Sequence, residues 1–370
     1  MKTLSPEILV IRFSSLGDVV LASAVLREIA AALPDTRLTF ATKLAYQPLF
    51  EHFDLPVNVV EYHPGQSLFT YRRRLSGTHY DSIIDLHGSI RSVLLSTSLR
   101  AHRRVRVQKY IAERRAMVRR KRGLDHPLST LRACMDVLKP LGQSVAERFP
   151  RLCLSPAELE QVARLRNEAP SCIGIGWGAR WPTKIVPCQV WDAVLDRLGP
   201  KWPGKARMFG LESDRPGIAA FVQERKAKQP NLDAQIECGR SLREVMTKLA
   251  ACAVFVSSDS GLLHLAAAMG VPSFGLFGPT HPSLGFAPVG PGARAFHGGT
   301  KCSPCHRHGA APCFRERRFC FEDLNVDEIA EAIMDAITLE SASGGSGRPS
   351  GSTPRLLRVP KETDSRGAGG

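Results

Sequence analysis

Residues 7–43, EILVIRFSSLGDVVLASAVLREIAAALPDTRLTFATK, decide the fold of this chain. Glu7 to Phe13 form a short apolar run rich in β-branched residues, which predicts a strand buried on both faces. The turn SSLGD follows, and the apolar positions after it recur at helical spacing as far as Pro34. LTFATK, which ends at Lys43, predicts the next strand. Strand, glycine-containing turn, helix and strand together predict a βαβ unit in a parallel sheet.

A second series of the same kind begins after Pro170. SCIGIGWGA predicts a strand that runs into a glycine-rich loop, and AVFVSSDSG predicts a strand that enters a tight turn before the helix GLLHLAAAMG. Two such series predict an α/β protein with two doubly wound, Rossmann-like domains that face each other across a cleft. We place the first domain at residues 1–168, the second at 169–338, and a disordered Gly/Ser/Arg-rich tail at 339–370.

The charge of the chain points to an anionic partner. Fifty Lys and Arg stand against 35 Asp and Glu, a formal net charge of +15 in 370 residues. Residues 100–122 are the most basic part and predict a long helical region. Nucleic acid is one candidate partner, but Tyr110 is the only aromatic residue in this stretch and no nucleic-acid-binding module is recognisable. A phosphorylated substrate or an acidic membrane surface also fits the charge.

The distribution of apolar residues and cysteines sets the expected compartment. Arg12 and Asp18 interrupt the apolar run near the N-terminus, so no signal peptide is predicted. No stretch reaches the roughly 20 apolar residues of a bilayer span. Ten cysteines in 370 residues are too sparse for a secreted disulfide scaffold. We expect a soluble cytoplasmic protein that touches a membrane from the inside.

Two strand-to-helix loops of the first and second series carry candidate site residues. In SSLGD, Gly17 allows close backbone approach, and Asp18 is either a helix cap or a carboxylate aimed into the cleft. In GIGWGARWPTK, residues 174–184, glycines expose N–H groups that can cradle phosphate oxygens. Lys184 either neutralises a diphosphate or is an ordinary solvated lysine.

A third constellation is SSDSGLLHLAAAMG at residues 257–270. Asp259, Ser260 and Gly261 stand where a strand turns into a helix, and the unpaired N–H groups there favour a phosphate or pyrophosphate. His264 follows one turn into the helix, on an otherwise apolar face. It is either a structural histidine or a member of the site.

Four cysteines form a fourth constellation near the end of the second series. Cys302 and Cys305 have CxxC spacing, and Cys313 and Cys320 follow at wider intervals. Four thiolates can hold zinc tetrahedrally, although the second pair lacks the usual spacing. Zinc, a loop disulfide and buried free thiols all stay open at this point.

Taken together, these segments resemble the family-9 glycosyltransferases, the bacterial heptosyltransferases of lipopolysaccharide core assembly. The resemblance rests on VIRFSSLGDVVLASAVLREI, IIDLHGSIRSVLL, GWGARWPTK, GLESD, SSDSGLLHLAAAMGVPSFGLFGPTHP and the closing CSPC with its two later cysteines. It extends from the first strand to about residue 335 and is closest to members of the heptosyltransferase II type. It implies a GT-B fold, with two Rossmann-like domains and the active site between them.

The resemblance also implies a reaction and the roles of individual residues. An inverting transfer would move heptose from ADP-heptose to a phosphorylated, lipid-linked inner-core oligosaccharide, with the ADP-sugar as substrate and no required cofactor. Asp18 matches the general base, and Lys184 matches the lysine that stabilises the departing diphosphate. The implied donor-binding residues are Gly178, Thr183, Lys184, Glu212, Asp259, Ser260, Gly261 and His264.

The acceptor side is assigned to the first domain, and one motif departs from the family. Candidate acceptor-binding residues are Ser15, Gly17, His87, Arg91, Arg119 and Arg120, while nucleic acid is not an expected partner. A structural role for His87 and a plain surface charge for Arg91 remain alternatives. Many relatives continue the T-K motif as K-R-W-P, whereas this chain has KIVP at residues 184–187. Another nucleotide sugar is therefore the alternative donor.

Overall fold

A computed structural model of the chain describes residues 5–124, 126–142 and 149–342. They form two α/β units, each built on an entirely parallel sheet, and the predicted fold class is confirmed. The sequence 7–43 forms strand, helix and strand as expected. Within the described ranges, no helix has both the length and the apolar character that crossing a bilayer requires.

The first unit contains a five-stranded sheet in the order β3-β2-β1-β4-β5. Its strands are β1 (Glu7–Ile11), β2 (Arg37–Lys43), β3 (Val57–Tyr62), β4 (Tyr80–Asp85) and β5 (Ala101–Arg106). Its helices are α1 (Leu16–Ala32), α2 (Leu68–Leu75), α3 (Ile90–Ser98), α4 (Ile111–Arg120) and α5 (Thr130–Met135). The chain order turns back at β1, next to β4, so the turn after β1 lies at the switch point where such sheets bind ligands.

The second unit contains a six-stranded sheet in the order β11-β10-β9-β6-β7-β8. Its strands are β6 (Ile173–Gly176), β7 (Lys205–Gly210), β8 (Asp233–Cys238), β9 (Val254–Ser258), β10 (Ser273–Phe277) and β11 (Arg294–His297). The helices are α6 (Pro156–Glu168), α7 (Cys188–Leu198), α8 (Arg215–Lys228), α9 (Leu242–Ala250), α10 (Gly261–Ala268), α11 (Phe319–Glu322) and α12 (Val326–Ala342). Here β6 and β9 flank the switch point.

Strand β1 is buried on both faces of its sheet. Ile8 and Val10 join a core cluster with α1, whereas Leu9 and Ile11 join the cluster beneath α2 and α3. Such two-sided burial explains why EILVI is apolar without alternation. It also places α1 on the sheet face opposite to α2 and α3.

The core continues from one unit into the other. Val25 of α1, Leu263 of α10 and Phe255 of β9 belong to one cluster of buried residues. Helices α1 and α10 pack directly against each other. Because each follows a central strand, their N-terminal ends bring together the two sheet edges at which doubly wound folds usually bind ligands.

The structure differs from the sequence predictions in the basic segment. Residues 101–106 form the edge strand β5 rather than a helix, and only Ile111–Arg120 is helical. Ile84 of β4 pairs with Val105, and pairing along β4 overrides the helical tendency of an Arg-rich sequence. An edge strand with an exposed face accepts arginines because they point to solvent.

The unit boundaries can be compared with the predicted ones. Helix α6 falls within the first predicted domain, residues 1–168. In the structure it packs through Val162 on Ala250 and Ala251 of the second unit. The predicted division between residues 168 and 169 stays a prediction. Helix α12 runs to Ala342, past the predicted end at residue 338, and residues 343–370 of the predicted tail lie outside the described residues.

Candidate active site

The turn between β1 and α1 holds the Asp18 carboxylate in a fixed position. Ser15 is the N-cap of α1, and its backbone N–H and its hydroxyl donate to Oδ2 of Asp18 at 3.1 and 2.8 Å. The Arg12 guanidinium forms an ion pair with the same oxygen at 2.6 Å. The carboxylate is therefore both a cap and, with 23% of its side chain exposed, a group that can reach the cleft.

The environment of Asp18 keeps its carboxyl group ionised. Burial alone would raise the pKa, but Arg12 and the hydrogen bonds from Ser15 outweigh it, and the pKa lies below its ordinary value. Arg12 is itself buried and also donates to the carbonyl oxygen of Leu86. Sequence reasoning missed Arg12, whose signal was a charged residue directly after a buried strand.

Lys184 and Asp259 form a shielded ion pair in the second unit. Nζ of Lys184 donates to Oδ2 of Asp259 at 2.5 Å and to its carbonyl oxygen at 3.0 Å. Their side chains are only 11% and 9% exposed. The hydroxyl of Thr280, also missed by sequence reasoning, donates to the same carboxylate at 3.1 Å. The predicted leaving-group lysine thus lies at the predicted donor turn.

The helix start after Asp259 offers backbone donors beside this pair. Ser260 is the N-cap of α10, and its hydroxyl lies 2.9 Å from that of Ser257. Gly261 is the first helical residue. The N–H groups of the first turn have no partner within their own helix, so this end favours an anion.

The two helix starts touch, and this contact joins the two halves of the site. A Cβ on Gly17 would lie 2.7 Å from Cδ2 of His264, and a Cβ on Gly261 would lie 2.8 Å from Cβ of Leu16. Both positions therefore require glycine for close packing. Asp18 of the first unit and Asp259 of the second come close enough for both to act on the pKa of His264.

His264 is buried on the apolar side of this contact. Burial lowers its pKa, against the opposite effects of Asp259 and Asp18, so the imidazole is neutral at neutral pH. Its Nδ1 has no hydrogen-bond partner among the described residues. The neutral ring packs against Gly17 of the β1–α1 turn, and the charges of Asp18, Asp259 and Lys184 all act on it.

The loop that carries Lys184 is fastened by the cysteine-bearing segment. The Thr183 hydroxyl donates to the carbonyl oxygen of Gly309, and a Cβ on Gly309 would lie 2.8 Å from Cγ of Lys184. Arg318 donates to the carbonyl oxygen of Ile185 at 2.7 Å. Thr183 therefore orients the loop through its hydroxyl.

Gly178 and Glu212 lie at neighbouring strand ends of the second sheet. A Cβ on Gly178 would collide with the carboxylate of Asp214, so the backbone there runs close to the start of α8. Glu212 is exposed and pairs with Arg215 at 2.5 Å, which lowers the pKa of its carboxyl group. Among the described contacts, none joins either residue to Lys184. Their donor-binding roles stay predictions.

The candidate acceptor residues divide into two groups. His87 packs edge-on against Phe13 with 5.6 Å between ring centroids, and burial lowers its pKa to about 4. The charges of Arg12 and Asp18 both act on His87, which places it beside the turn between β1 and α1. Arg91 is exposed and stacks on Tyr62, with 5.5 Å between its guanidinium carbon and the ring centroid.

Arg119 and Arg120 are exposed at the C-terminal end of α4, and no described contact ties them to Asp18. The same helix carries Arg114, which is buried between the two units. Arg114 donates to the carbonyl oxygen of Leu284 at 2.8 Å and to the Thr130 hydroxyl at 3.0 Å. Sequence reasoning did not separate this buried arginine from its exposed neighbours.

The four late cysteines line one cavity. Cys302, Cys305, Cys313 and Cys320 are all free thiols. Burial, with the neighbouring thiols, raises the pKa of Cys320 to about 12. Within the described residues, no group of three or more His, Cys, Asp or Glu is arranged to hold a metal ion. The hypothesis of a zinc site at these cysteines therefore gains no support from the structure.

Comparison with known sequences identifies a family. The sequence model of glycosyltransferase family 9 (heptosyltransferase) matches residues 68–312. The chain is 26% identical over 365 residues to lipopolysaccharide heptosyltransferase 1 of Pseudomonas aeruginosa, covering 88% of this chain and 96% of that protein. It is 25% identical over 297 residues to lipooligosaccharide heptosyltransferase 2 of Haemophilus influenzae, covering 75% and 84%.

Solved structures agree on the fold. ADP-heptose lps heptosyltransferase II of Escherichia coli superimposes with a TM-score of 0.67 at 20% identity, over 90% of this chain and 99% of that one. A family-9 glycosyl transferase from Veillonella parvula gives a TM-score of 0.69 at 16% identity, over 92% and 99%. The GT-B architecture expected from the resemblance is confirmed.

Proposed function

Since the chain belongs to glycosyltransferase family 9, we propose that it transfers heptose from ADP-heptose to a phosphorylated, lipid-linked inner-core oligosaccharide. Relatives named for lipopolysaccharide and lipooligosaccharide heptosyltransferases support both the sugar and the acceptor class. Because the acceptor is anchored by its lipid, the proposal includes peripheral contact with the cytoplasmic face of the inner membrane.

One observation carries the proposal: an ionised carboxylate of one unit lies next to a helix start of the other unit, where backbone N–H groups favour an anion. Asp18 stands at the start of α1, and the Lys184–Asp259 pair stands at the start of α10. The contacts of Gly17 with His264 and of Gly261 with Leu16 bring these groups, one from each unit, to a single junction. A transferase needs this arrangement, because its acceptor hydroxyl and its departing phosphate lie on opposite sides of the sugar.

The proposed step is a single displacement with inversion. The acceptor hydroxyl oxygen attacks the anomeric carbon, its proton passes to the Asp18 carboxylate, and the bond from that carbon to the β-phosphate oxygen of ADP breaks. The negative charge that develops on the diphosphate is stabilised by Lys184 and by the N–H groups at the start of α10. ADP-heptose is a substrate in this step, and the protein groups do the rest.

The lowered pKa of Asp18 fits a base that acts only as the bond forms. A carboxylate held ionised by Arg12 accepts a proton poorly from a free hydroxyl. Its acceptance becomes favourable as the attacking oxygen loses electron density in the transition state. Asp18 is therefore proposed to be charged and ready throughout the working pH range.

The type of heptosyltransferase is a finer question. The relatives include a type 1 and a type 2 enzyme, so similarity does not separate the II type from type 1. The motif KIVP at residues 184–187 sits directly beside the proposed leaving-group lysine. Isoleucine and valine replace the arginine and tryptophan of many relatives, so this position bears on the donor.

The test is a donor panel on the purified full chain. Thermal shift with ADP, UDP and GDP, followed by transfer assays with ADP-heptose and the corresponding UDP- and GDP-sugars, should give stabilisation and turnover with the ADP compounds alone. Acceptors truncated before and after the first inner-core heptose then separate the two types. Stabilisation by UDP or GDP without any by ADP would overturn the heptose assignment while leaving the transferase fold intact.

A further inference from the structure

Three large apolar side chains are exposed on two adjacent helices of the first unit. Phe69 of α2 is 68% exposed, and Ile90 and Leu94 of α3 are 83% and 55% exposed. Ile90 and Leu94 are one helical turn apart and share a face. Arg73 lies one turn after Phe69 and is also exposed. We call these four residues, Phe69, Arg73, Ile90 and Leu94, the α2–α3 face.

The two helices form one surface. Their inner sides share the core cluster that contains Tyr71 of α2 and Leu95 of α3. The guanidinium of Arg72 also bridges them by donating to the carbonyl oxygen of Ser98 at 2.9 Å. The outward residues are therefore held in fixed relative positions rather than on separate mobile loops.

Exposed apolar residues are distributed differently on α6 and α12. Each of these helices carries a single large exposed one, Leu159 and Leu339 respectively. Single exposed apolar residues are normal on protein surfaces, whereas a group of them marks an interaction site. The α2–α3 face is of the second kind.

The face borders the acceptor side of the site. Helices α2 and α3 begin where β3 and β4 end, and the turn with Asp18 follows β1 at the same edge of the parallel sheet. Ile90 comes three residues after His87, on whose pKa Asp18 acts. A molecule seated on the α2–α3 face is thus beside the entrance for the acceptor.

The stretch of sequence that contains the face is strongly positive, although Arg74 is paired with Glu61 at 2.8 Å. Between residues 62 and 112 the sequence has nine cations, Arg72, Arg73, Arg74, Arg91, Arg100, Arg103, Arg104, Arg106 and Lys109. The same stretch has only two acidic residues, Asp81 and Asp85, which leaves a net charge of +7. Neither α2 nor α3 contains Asp or Glu. Apolar side chains surrounded by arginines suit an anionic bilayer surface.

We propose that the α2–α3 face docks on an anionic bilayer. Phe69, Ile90 and Leu94 enter the boundary between headgroups and acyl chains, while the arginines around them contact lipid phosphates. This placement turns the mouth of the cleft toward the membrane and delivers a lipid-linked acceptor to Asp18. It rests on the proposed function for its acceptor, but the docking itself is independent of transfer.

Vesicle binding by the full chain tests the docking. Sedimentation with phosphatidylcholine vesicles, with and without phosphatidylglycerol, should show binding only when the anionic lipid is present. The triple variant Phe69→Ser/Ile90→Ser/Leu94→Ser should bind at least about tenfold more weakly, because insertion of three apolar side chains is lost. Arg73→Glu should weaken binding by at least about fivefold, since a cation near the lipid phosphates is replaced by an anion.

A matched variant controls for the loss of exposed apolar side chains. Leu159→Ser/Leu339→Ser removes side chains of comparable exposure from α6 and α12 and should bind as the wild type does. Equal binding by the wild type and the triple variant would overturn the proposal, as would failure of the wild type to bind anionic vesicles. A wild-type dimer that the triple variant abolishes would assign the face to a second copy of the chain instead.

Transfer assays separate this proposal from the proposed function. On a deacylated, soluble acceptor the triple variant should match the wild type, whereas on acceptor embedded in anionic vesicles its rate should fall at least about tenfold. Absence of transfer by the wild type on both acceptors would contradict the proposed function and leave the vesicle result standing. An equal loss on both acceptors would contradict the docking role.

Discussion

Two strand–turn–helix junctions face each other in this protein, and they hold their carboxylates in different ways. At β1–α1, the partner of Asp18 is Arg12, a buried arginine from the end of the same strand that is also tied to a backbone carbonyl. At β9–α10, the partner of Asp259 is Lys184, the last residue of a short 3-10 turn in another loop. One ion pair is a fixed part of its junction, while the other joins two loops through a long side chain.

This difference indicates that the two junctions have different roles. A rigid, bidentate-capable arginine suits a carboxylate that must stay charged and in place. A flexible ammonium group can exchange one anionic partner for another, so we expect the donor diphosphate to compete with Asp259 for Lys184. The first junction would then hold the base and the second would respond to the donor.

The largest effect is expected at the fixed junction. Asp18→Asn keeps a side chain that can cap α1 but removes the charge that pairs with buried Arg12, so the melting temperature at neutral pH should fall while the fold is retained. The transfer rate should fall about 10²- to 10⁴-fold, the range of general base catalysis. Initial rates and calorimetry with ADP test this, and ADP affinity should hold. Near-normal turnover would remove Asp18 as the base.

The next largest effect is expected for the ion pair between Lys184 and Asp259. Lys184→Ala should weaken ADP binding about 10- to 100-fold, the value of a hydrogen bond to a charged group. Calorimetry with ADP provides the measurement.

Asp259→Asn distinguishes exchange from a fixed structural pair. If the diphosphate competes with Asp259 for Lys184, this variant should bind ADP as tightly as the wild type or more tightly. Weakening equal to that of Lys184→Ala would show instead that the intact pair is the binding element.

A pH profile sharpens the role of Arg12. Because Arg12 lowers the pKa of Asp18 and burial raises it, Arg12→Gln should raise that pKa. The acid limb of kcat/KM should therefore move up by about 1 to 3 pH units, so activity is lost earlier as the pH falls. Arg12→Lys keeps the charge and should leave the limb nearer its wild-type place. An unmoved limb in Arg12→Gln would mean that Asp18 does not control it.

The same shift has a consequence for stability. The pKa of Asp18 is lower in the folded state than in the unfolded state. The stabilisation that its charged carboxylate gives to the fold is therefore fully present when the pH is above the unfolded-state pKa. It is lost as the pH falls through the folded value. The free energies of unfolding of Asp18→Asn and of the wild type, measured with urea, should therefore become equal at low pH.

The contact between the two junctions can be tested on its own. Gly17→Ala places a Cβ against the His264 ring and should destabilise the protein by about 1 to 3 kcal/mol. Gly77 has open space around it and an ordinary φ, so Gly77→Ala is the matched control and should be near neutral. Denaturant unfolding compares the two variants. Equal stability would show that the helix starts can move apart at little cost.

The sequence predicts this fold well because its main features are local. The apolar run EILVI and the SSLGD turn indicate strand and helix within a few residues, and the structure has both there. The DSG turn at residues 259–261 behaves in the same way. Asp18, Lys184 and Asp259 were predicted as separate elements of one site, and the folded chain brings them together.

What the sequence does not reveal depends on contacts between distant residues. Arg12 is six residues from Asp18, but its burial against the carbonyl oxygen of Leu86 follows from sheet pairing. The 101–106 stretch reads as basic and helical, and only pairing with β4 makes it a strand. Likewise, burial of Arg114 depends on Leu284, which lies 170 positions away along the chain.

The smallest effect is expected for the exposed arginines of α4, which no described contact ties to either junction. Arg119→Ala/Arg120→Ala removes two charges that no described contact ties to the site, so kcat at saturating acceptor and ADP affinity should be unchanged. The KM for the phosphorylated acceptor should rise only severalfold, because an exposed charge contributes about 1 kcal/mol or less. The rise should shrink at high salt, which screens such charges over roughly 10 Å. Arg164→Ala/Lys226→Ala, exposed in α6 and α8, is the matched control and should leave the KM unchanged. If both pairs raise it equally, the acceptor responds to the total charge of the protein rather than to α4.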